Sequence, residues 1–131
     1  MSANKIVYLV DDDEVAQFIT TKIIRIRFPD MVIQPFSDLD DAIQALQDSL
    51  GRGLTLPDLI FLDFHVSNRS ALDFLDSYKP LVPLFPKPVK LCLLSAESED
   101  RFGHMPLVQE LVDQWISKPL QPQLLDTLIS A

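Results

Sequence analysis

The feature that most constrains the fold is a repeated alternation of short apolar runs with longer segments of helical periodicity. Five runs have strand length, at residues 6–10, 31–36, 59–62, 89–94 and 114–117. The segments between them place apolar residues three and four positions apart, as on one face of a helix. Strands that alternate with helices in this way form a parallel sheet with helices on both faces. The sequence therefore predicts one α/β domain over residues 1–131.

Several of the predicted elements have recognisable starts and ends. Residues 14–28 carry five apolar side chains on one helical face, namely Val15, Phe18, Ile19, Ile23 and Ile26. Ser37 or Asp38 can cap a helix that runs to about residue 50, and Ser70 can cap one that ends near residue 78. Four prolines between residues 80 and 88 predict a loop without regular structure. Residues 97–112 are helix-like but broken near Gly103 or Pro106, and residues 122–129 predict a closing helix.

The composition excludes several classes of protein. A net charge of −8 over 131 residues argues against broad binding to nucleic-acid phosphates, which needs basic patches. The polar start is followed by an apolar run of only five residues, too short for a secretory signal or a membrane span. The lone Cys92 lies in an apolar run, which indicates a buried thiol in a reducing compartment. We expect a cytoplasmic protein that binds neither membrane nor nucleic acid.

Polar residues follow four of the predicted strands. The first run ends at Asp11, Asp12 and Asp13, the third at Asp63, the fourth at Ser95 and the fifth at Lys118. The carboxyl ends of parallel strands share one edge of the sheet, where ligands of open α/β folds bind. Carboxylates packed together repel one another unless a cation lies between them. Mg²⁺, which prefers oxygen ligands and also takes phosphate oxygens, fits this group of side chains.

Asp63 is the carboxylate best placed to act as a nucleophile, because it stands alone after the most apolar strand. Carboxylates form covalent intermediates with phosphoryl groups. Lys118 and Mg²⁺ would neutralise charge on the phosphoryl oxygens, and Ser95 would donate a hydrogen bond to one of them. Each acidic residue taken singly could instead be a turn or a helix cap. Four strand ends with suitable groups in a suitable order favour the functional interpretation.

These motifs resemble the receiver domain of two-component response regulators over essentially the whole chain. Asp11-Asp12 is similar to the acidic pair that follows the first strand, and Asp63 ends what looks like the phosphoacceptor strand. Ser95-Ala96 and Lys118-Pro119 resemble the hydroxyl motif and the Lys-Pro motif, the latter with a typically cis peptide bond. The resemblance implies a flavodoxin-like (βα)5 fold, doubly wound, with five parallel strands in the order 2-1-3-4-5.

The resemblance also implies the roles of individual residues. Asp63 would accept phosphate from a histidine kinase or a phosphotransfer protein. Asp12 and Asp63 would bind Mg²⁺ directly, Asp11 through water, and His65 through its backbone carbonyl. Ser95 would turn toward the phosphoryl group. We expect a signalling phosphoacceptor in a phosphorelay, not a classical enzyme.

The resemblance further predicts how the signal leaves the domain. Trp115, three residues before Lys118, occupies the position of the aromatic switch that turns inward on activation. The face made by the fourth helix, fifth strand and fifth helix would then contact a downstream protein target, and a dimer would form through the same face. The sequence leaves open whether the domain acts alone or within a longer regulator.

The segment after Asp63 departs most from the family pattern. The family commonly has a Met-Pro pair and a Gly there, whereas this chain has Val66-Ser67 and Ala71. An Ala does not easily adopt a positive φ, so we expect a loop of different shape between Val66 and Ala71. Glu97, two residues after Ser95, is expected to flank the same opening.

Two alternatives remain open at this point. Asp11-x-Asp13 also resembles the nucleophile motif of haloacid-dehalogenase-type phosphatases, in which Asp11 would be the nucleophile and Asp13 the general acid. Only Asp126 follows Lys118, however, and that family gives no role to Asp63. The other alternative is a pseudo-receiver, an interaction module that keeps the fold and is never phosphorylated.

Overall fold

A five-stranded parallel sheet forms the centre of the molecule. The computed structural model describes residues 5–66, 68–96 and 103–130, with the backbone only at Ser130. The strands are β1 (Ile6–Val10), β2 (Val32–Phe36), β3 (Leu59–Asp63), β6 (Lys90–Ser95) and β7 (Gln114–Ser117), together with a separate hairpin of β4 (His65–Val66) and β5 (Arg69–Ser70). The sheet order is β2-β1-β3-β6-β7. With the hairpin set aside, this is the predicted order 2-1-3-4-5.

Helices cover both faces of the sheet. They are α1 (Glu14–Arg27), α2 (Leu39–Arg52), α3 (Ala71–Tyr78), α4 (Pro106–Leu111) and α5 (Pro122–Ser130), with a 3₁₀ helix at Lys79–Leu84. One core cluster packs side chains of α2, α3 and α4 against the sheet, and the other packs those of α1 and α5. Tyr8 and Val10 enter the first cluster while Val7 and Leu9 enter the second, as the two-residue period of a strand requires. The doubly wound α/β architecture is confirmed.

The burial of each strand follows its place in the sheet. Every residue of β3 except Asp63 is buried, which agrees with its predicted central position. β2 lies at the edge and is largely exposed. Pro35 is tolerated there because an edge strand does not need every backbone N–H for pairing. No helix in the described part of the chain is long and apolar enough to cross a membrane.

The apolar face predicted for α1 is not the face that the sheet covers. Val15, Phe18, Ile19 and Ile26 are each at least half exposed, whereas Ile24 is fully buried. The helix contacts the core mainly through Ile24 and the partly buried Ile23. Periodicity detects an apolar face but does not identify its partner, and on α1 this leaves a large apolar surface in contact with solvent.

The proline-rich segment is more regular than predicted. The expectation of a loop across residues 80–88 was wrong for its first half, which forms the 3₁₀ helix Lys79–Leu84. Pro80 stands in the first turn, where a backbone N–H has no partner within the helix, and Leu81 is buried against the core. Pro83 costs one internal hydrogen bond, which a short 3₁₀ turn tolerates.

Helix boundaries agree with the predicted caps where the structure describes them. Asp38, not Ser37, caps α2 by accepting from the backbone N–H of Asp40, and Gly53 ends that helix with a φ of 66°. Ser70 caps α3 as predicted. The predicted break before Pro106 is confirmed by the start of α4, while residues 97–102 lie outside the described part of the chain.

At the amino-terminal edge of the sheet, two aspartates each accept a hydrogen bond from a backbone N–H of the neighbouring strand. Asp58, just before β3, accepts a hydrogen bond from the backbone N–H of Ile6 at 2.8 Å. Asp113, just before β7, accepts one from the N–H of Leu91 at 2.7 Å. Each carboxylate thereby satisfies a donor at the start of the neighbouring strand. Asp58 also receives a hydrogen bond from Lys87 Nζ at 2.9 Å.

The Asp58 contacts predict a pH-dependent contribution to stability. Burial alone would raise the pKa of Asp58, but the Ile6 N–H and the Lys87 ammonium hold it below its ordinary value. A carboxyl whose pKa is lower in the folded state stabilises the fold above its unfolded-state pKa, and this contribution is lost as pH falls through the folded-state pKa. We expect Asp58→Ala to lower the free energy of unfolding by about 1–3 kcal/mol at neutral pH.

Denaturant unfolding of both proteins between pH 7 and pH 2 measures this effect. The difference in unfolding free energy between wild type and Asp58→Ala should shrink as the pH falls into the acid range. Asp48→Ala is the control, because Asp48 accepts a hydrogen bond from Gln44 Nε2 at 2.9 Å on the exposed surface of α2. A difference that does not change with pH would show that Asp58 acts through packing and not through its charge.

Candidate functional site

The structure brings the predicted strand-end residues to one edge of the sheet. Asp11 directly follows β1, Asp63 and Ser95 end β3 and β6, and Lys118 directly follows β7. The strand register explains this convergence: Asp63 is paired with Leu94, and Ser95 with Ser117. Side chains that are distant in the sequence therefore meet at the carboxyl ends of neighbouring strands.

Lys118 connects the two carboxylates that lie deepest in this cluster. Its Nζ is 3.0 Å from Asp63 Oδ1 and 3.7 Å from Asp11 Oδ2. The exposed fraction of the side chain is 30% for Lys118, 14% for Asp63 and only 2% for Asp11. Asp63 is thus more accessible to a reactant than Asp11, while both carboxylates face the same ammonium.

Asp11 is held in an unfavourable environment for a negative charge. Burial raises its pKa above the ordinary value, and the charge of Asp63 adds to this effect. A hydrogen bond from the backbone N–H of Asp13 to Asp11 Oδ1 at 2.9 Å and the charge of Lys118 oppose the rise without cancelling it. Lys118 and the Asp13 N–H together therefore do not fully offset the burial of Asp11 and its repulsion by Asp63.

Lys118 is fixed by backbone contacts as well as by charge. Its backbone N–H donates to the carbonyl of Ser95 at 2.9 Å, and the peptide bond to Pro119 is cis, as the family resemblance implied. Burial alone would lower the pKa of the Lys118 ammonium, but the hydrogen bond and charge of Asp63, aided by Asp11, raise it. Lys118 is therefore positively charged at physiological pH.

The acidic cluster has the composition of a divalent-cation site. One carboxylate oxygen each from Asp11, Asp12 and Asp63 can be chosen so that all three lie within 4.8 Å of one another. Asp12 is exposed, which leaves room for the water ligands that Mg²⁺ usually keeps. Three oxygen ligands with one open side fit Mg²⁺ better than the softer metals, which prefer nitrogen or sulfur.

His65 and Trp115 both lie next to the ring of Phe64. The His65 side chain is exposed and meets the Phe64 ring edge-on, with centroids 4.9 Å apart. The partly buried Trp115 ring lies 5.7 Å from Phe64, which itself is buried and directly follows Asp63. Ser95 is buried at the end of β6, with 2% of its surface exposed.

Metal binding by the His65 carbonyl and the switch roles of Ser95 and Trp115 stay predictions.

The loop after Asp63 contains a short hairpin, and its difference in shape from the family's loop stays a prediction. His65 pairs with Ser70 and Val66 with Arg69 in a small antiparallel hairpin. Asn68 supplies the positive φ, at 63°, so Ala71 has no need of one and begins α3. The Ala71 N–H donates to the Phe64 carbonyl at 2.7 Å and closes the loop. Ser67 and Glu97 lie outside the described residues.

Sequence reasoning missed Gln17, which supports the site from α1. Its Nε2 donates to the backbone carbonyl of Asp11 at 3.0 Å and to that of Phe36 at 3.2 Å. The side chain thus ties α1 to the carboxyl ends of β1 and β2. A glutamine inside an amphipathic helix carries no signal in the sequence, because its importance depends on which carbonyls it reaches. Phe64 was missed for the same reason.

Lys118 and a bound Mg²⁺ would both neutralise the negative charge of Asp11 and Asp63, so the loss of Lys118 should change both stability and Mg²⁺ affinity. In Lys118→Met, the carboxylates lose their fixed cation, so we expect the metal-free protein to be less stable by about 1–2 kcal/mol. Mg²⁺ should bind this variant about three- to tenfold more tightly, because the site it enters is more negative. Thermal unfolding and calorimetric titration with MgCl₂ measure both effects.

A matched control exists at the opposite edge of the sheet. Lys87 pairs with Asp58 at 2.9 Å, and its side chain is 34% exposed, close to the value for Lys118. Lys87→Met should lower stability without changing Mg²⁺ affinity. Weaker Mg²⁺ binding by Lys118→Met than by wild type would contradict the view that Lys118 offsets the charge of these carboxylates.

Comparison with known proteins identifies the fold. No protein-family model matches the sequence, and no curated protein matches it significantly. A two-component response regulator from Cytophaga hutchinsonii superimposes with a TM-score of 0.84 at 26% identity, over 98% of this chain and 96% of that one. A CheY-like response regulator receiver domain from Methylobacillus flagellatus gives 0.77 at 17% identity, over 98% of both chains.

A third similar structure is a phosphorylated cyanobacterial phytochrome response regulator. Its TM-score is 0.73 at 21% identity, over 98% of this chain and 91% of that one. The agreement extends over nearly the full length of each chain and includes the strand order of the sheet. The chain therefore has the CheY-like receiver fold of response regulators.

Proposed function

We propose that residues 1–131 form one receiver domain that is phosphorylated on Asp63 in a Mg²⁺-dependent reaction. The observation that carries this proposal is the position of the Asp63 carboxylate, 3.0 Å from Lys118 Nζ and within reach of the same cation as Asp11 and Asp12. The phosphoryl donor is a histidine kinase or a histidine phosphotransfer protein. The domain is a cytoplasmic signalling phosphoacceptor.

Each residue of the site has a distinct task in phosphoryl transfer. An oxygen of Asp63 attacks the phosphorus of a phosphohistidine, and the P–N bond breaks as the new P–O bond forms. Mg²⁺, held by Asp11, Asp12, Asp63 and the His65 carbonyl, would supply positive charge to the phosphoryl oxygens. Lys118 neutralises further negative charge, and Ser95 donates a hydrogen bond to a phosphoryl oxygen.

The phosphatase alternative fits this site less well. Asp13, the general acid in that scheme, uses its Oδ1 to cap α1, accepting from the backbone N–H groups of Val15 and Ala16 at 2.9 and 3.2 Å. Asp11, the nucleophile in that scheme, is almost fully buried. Asp126, the acidic residue that follows Lys118, is paired with Arg27 at 2.6 Å. These contacts favour Asp63 as the reacting carboxylate.

The pseudo-receiver alternative predicts that the fold is retained without phosphorylation. Its support is the altered segment from Val66 to Ala71. Asp11 and Asp63 nevertheless both lie close to Lys118, and Asp12 completes the acidic cluster, which is the arrangement that phosphoryl transfer requires. We therefore favour an active receiver whose loop has a different shape.

Phosphorylation with acetyl phosphate tests the proposal directly. Mass spectrometry of the wild type incubated with acetyl phosphate and MgCl₂ should show one added phosphoryl group on Asp63. Asp63→Asn and omission of Mg²⁺ should each abolish the modification. Asp76→Asn, an exposed aspartate on α3, is the control and should behave as wild type.

Other outcomes of this experiment separate the alternatives. A phosphoryl group on Asp11 would support the phosphatase interpretation and refute ours. No modification of the wild type, together with no change in Trp115 fluorescence on addition of MgCl₂, would support the pseudo-receiver. Trp115 is the only tryptophan of the chain, so its emission reports on this region without interference.

The surface of α1 supports contact with a protein donor. Val15, Phe18 and Ile19 are 67, 63 and 50% exposed and lie in the first two turns of the helix that begins beside the acidic cluster. Ile19 also lines a cavity of about 270 Å³ that reaches Asp11 and Lys118. Exposed apolar side chains of this kind mark protein-binding surfaces, and this one borders the reacting carboxylates.

Substitutions on α1 distinguish protein donors from small-molecule donors. We expect Phe18→Ser and Ile19→Ser to slow phosphoryl transfer from a phosphorylated histidine phosphotransfer protein at least about tenfold, because buried apolar anchors dominate such interfaces. Their rates with acetyl phosphate should stay unchanged. Leu54→Ser is the control, because Leu54 is 50% exposed, as Ile19 is, and follows α2, which packs on the other face of the sheet from α1. Equal transfer rates in all variants would place the docking surface elsewhere.

On the output side, we propose that phosphorylation changes the face made by α4, β7 and α5. Trp115 lies on β7 and contacts Phe64 beside the phosphoacceptor, so it stands between the reacting group and this face. A downstream protein, or a second copy of the chain, would recognise the changed face. The domain would bind neither nucleic acid nor membrane.

A further inference from the structure

An arginine fastens the hairpin that follows Asp63 to two helices. Arg69 lies on β5, where it pairs with Val66 on β4. Its Nη1 is 2.9 Å from Asp40 Oδ1 on α2, and its Nε is 3.6 Å from Asp73 Oδ2 on α3. One guanidinium therefore connects the hairpin to both helices on the same side of the sheet.

The hairpin in turn determines where the backbone of His65 lies. His65 is paired with Ser70, the residue next to Arg69. Ser70 is itself fixed as the cap of α3, since its Oγ accepts from the backbone N–H of Leu72 at 3.2 Å. A displacement of Arg69 would move Ser70 and, through the strand pairing, His65. His65 is only two residues from Asp63.

We propose that Arg69 is a positioning residue for the divalent-cation site, acting through Asp40 and Asp73 on the hairpin that carries the His65 carbonyl. This inference rests on the proposed function, since it assigns Arg69 a part in Mg²⁺ binding at Asp63. Arg69 does not contact the cation. It holds the backbone that presents an oxygen to the cation, in a segment where the chain lacks the family's Pro and Gly.

The size of the expected effect follows from the exposure of the ion pairs. The side chains of Arg69 and Asp40 are 38 and 74% exposed, so water and salt weaken their attraction. A planar guanidinium that contacts two carboxylates is better oriented than a single exposed pair. We therefore expect a loss of Mg²⁺ affinity of about two- to fivefold and not its abolition.

Mg²⁺ titration of four proteins tests the proposal, with calorimetry and Trp115 fluorescence as independent readouts. They are the wild type, Arg69→Ala, Asp40→Asn and the double variant. Each single variant should bind Mg²⁺ about two- to fivefold more weakly than the wild type. The double variant should bind Mg²⁺ no more weakly than Arg69→Ala, because that substitution already removes the contact that Asp40→Asn removes. Arg69→Lys should fall between Arg69→Ala and the wild type, since one ammonium cannot contact both carboxylates in the same way.

Arg27→Ala is the matched control for a purely structural effect. Arg27 is also 38% exposed and pairs with Asp126 at 2.6 Å, which joins α1 to α5 away from the hairpin. This variant should lose a similar amount of thermal stability and keep the Mg²⁺ affinity of the wild type. Equal loss of affinity in Arg27→Ala and Arg69→Ala would overturn the proposal.

The remaining outcomes separate this proposal from the proposed function. A wild type that binds no Mg²⁺ and takes no phosphate would refute both. A wild type that binds Mg²⁺ and is phosphorylated on Asp63, with Arg69→Ala and Asp40→Asn unchanged in Mg²⁺ affinity, would overturn the role of Arg69 alone.

Discussion

The interaction on which the rest of the site depends is the attraction between one lysine and the carboxylates around it. The two edges of the sheet differ in the hydrogen-bond donors that they offer to carboxylates. At the amino-terminal edge, strands begin with free N–H groups, and Asp58 and Asp113 accept hydrogen bonds from them. At the carboxyl-terminal edge, strands end in carbonyls, which offer a carboxylate no donor, and the backbone hydrogen bond that Asp11 accepts comes from Asp13, beyond the end of β1. Asp11 and Asp63 therefore depend on Lys118 and on any cation that joins it. The same residue type is satisfied by backbone donors at one edge and clusters around a lysine at the other.

The packing of the sheet keeps this arrangement rigid. The apolar side chains of β3 and β6 are buried on both faces, so these strands cannot slide without exposing one of the two core clusters. Strand register then fixes Asp63 beside the end of β6, and Gln17 fixes the backbone of Asp11 from α1. Side chains that repel one another are therefore held together by the register of the strands that carry them.

Sequence reasoning succeeded where a local pattern determines the structure. The parallel α/β sheet, the capped helices and the convergence of Asp11, Asp63 and Lys118 follow from periodicity, capping residues and the geometry of parallel sheets. The strand order was implied by the resemblance to receiver domains. It failed where tertiary contacts decide. Five apolar residues on α1 predict a buried helix face, but Ile24 packs against the sheet while Phe18 is exposed to solvent. Pro80 does not break the chain here, because it lies in the first turn of a helix, where its missing N–H costs no hydrogen bond. The hairpin after Asp63 depends on Asn68 and on ion pairs with residues that are distant in the sequence.

Phe64 shows how a change at Asp63 can influence the rest of the domain. Its N–H donates to the carbonyl of Leu94, its carbonyl accepts from Ala71, and its ring contacts Trp115. A displacement at the end of β3 must therefore be shared with β6, with the start of α3 and with β7. Since Phe64 is fully buried, it has no free space into which it could relax alone. The residue after Asp63 thus connects the acidic cluster at the sheet edge to the packing beneath it, and this connection extends to the hairpin on one side and to Trp115 on the other.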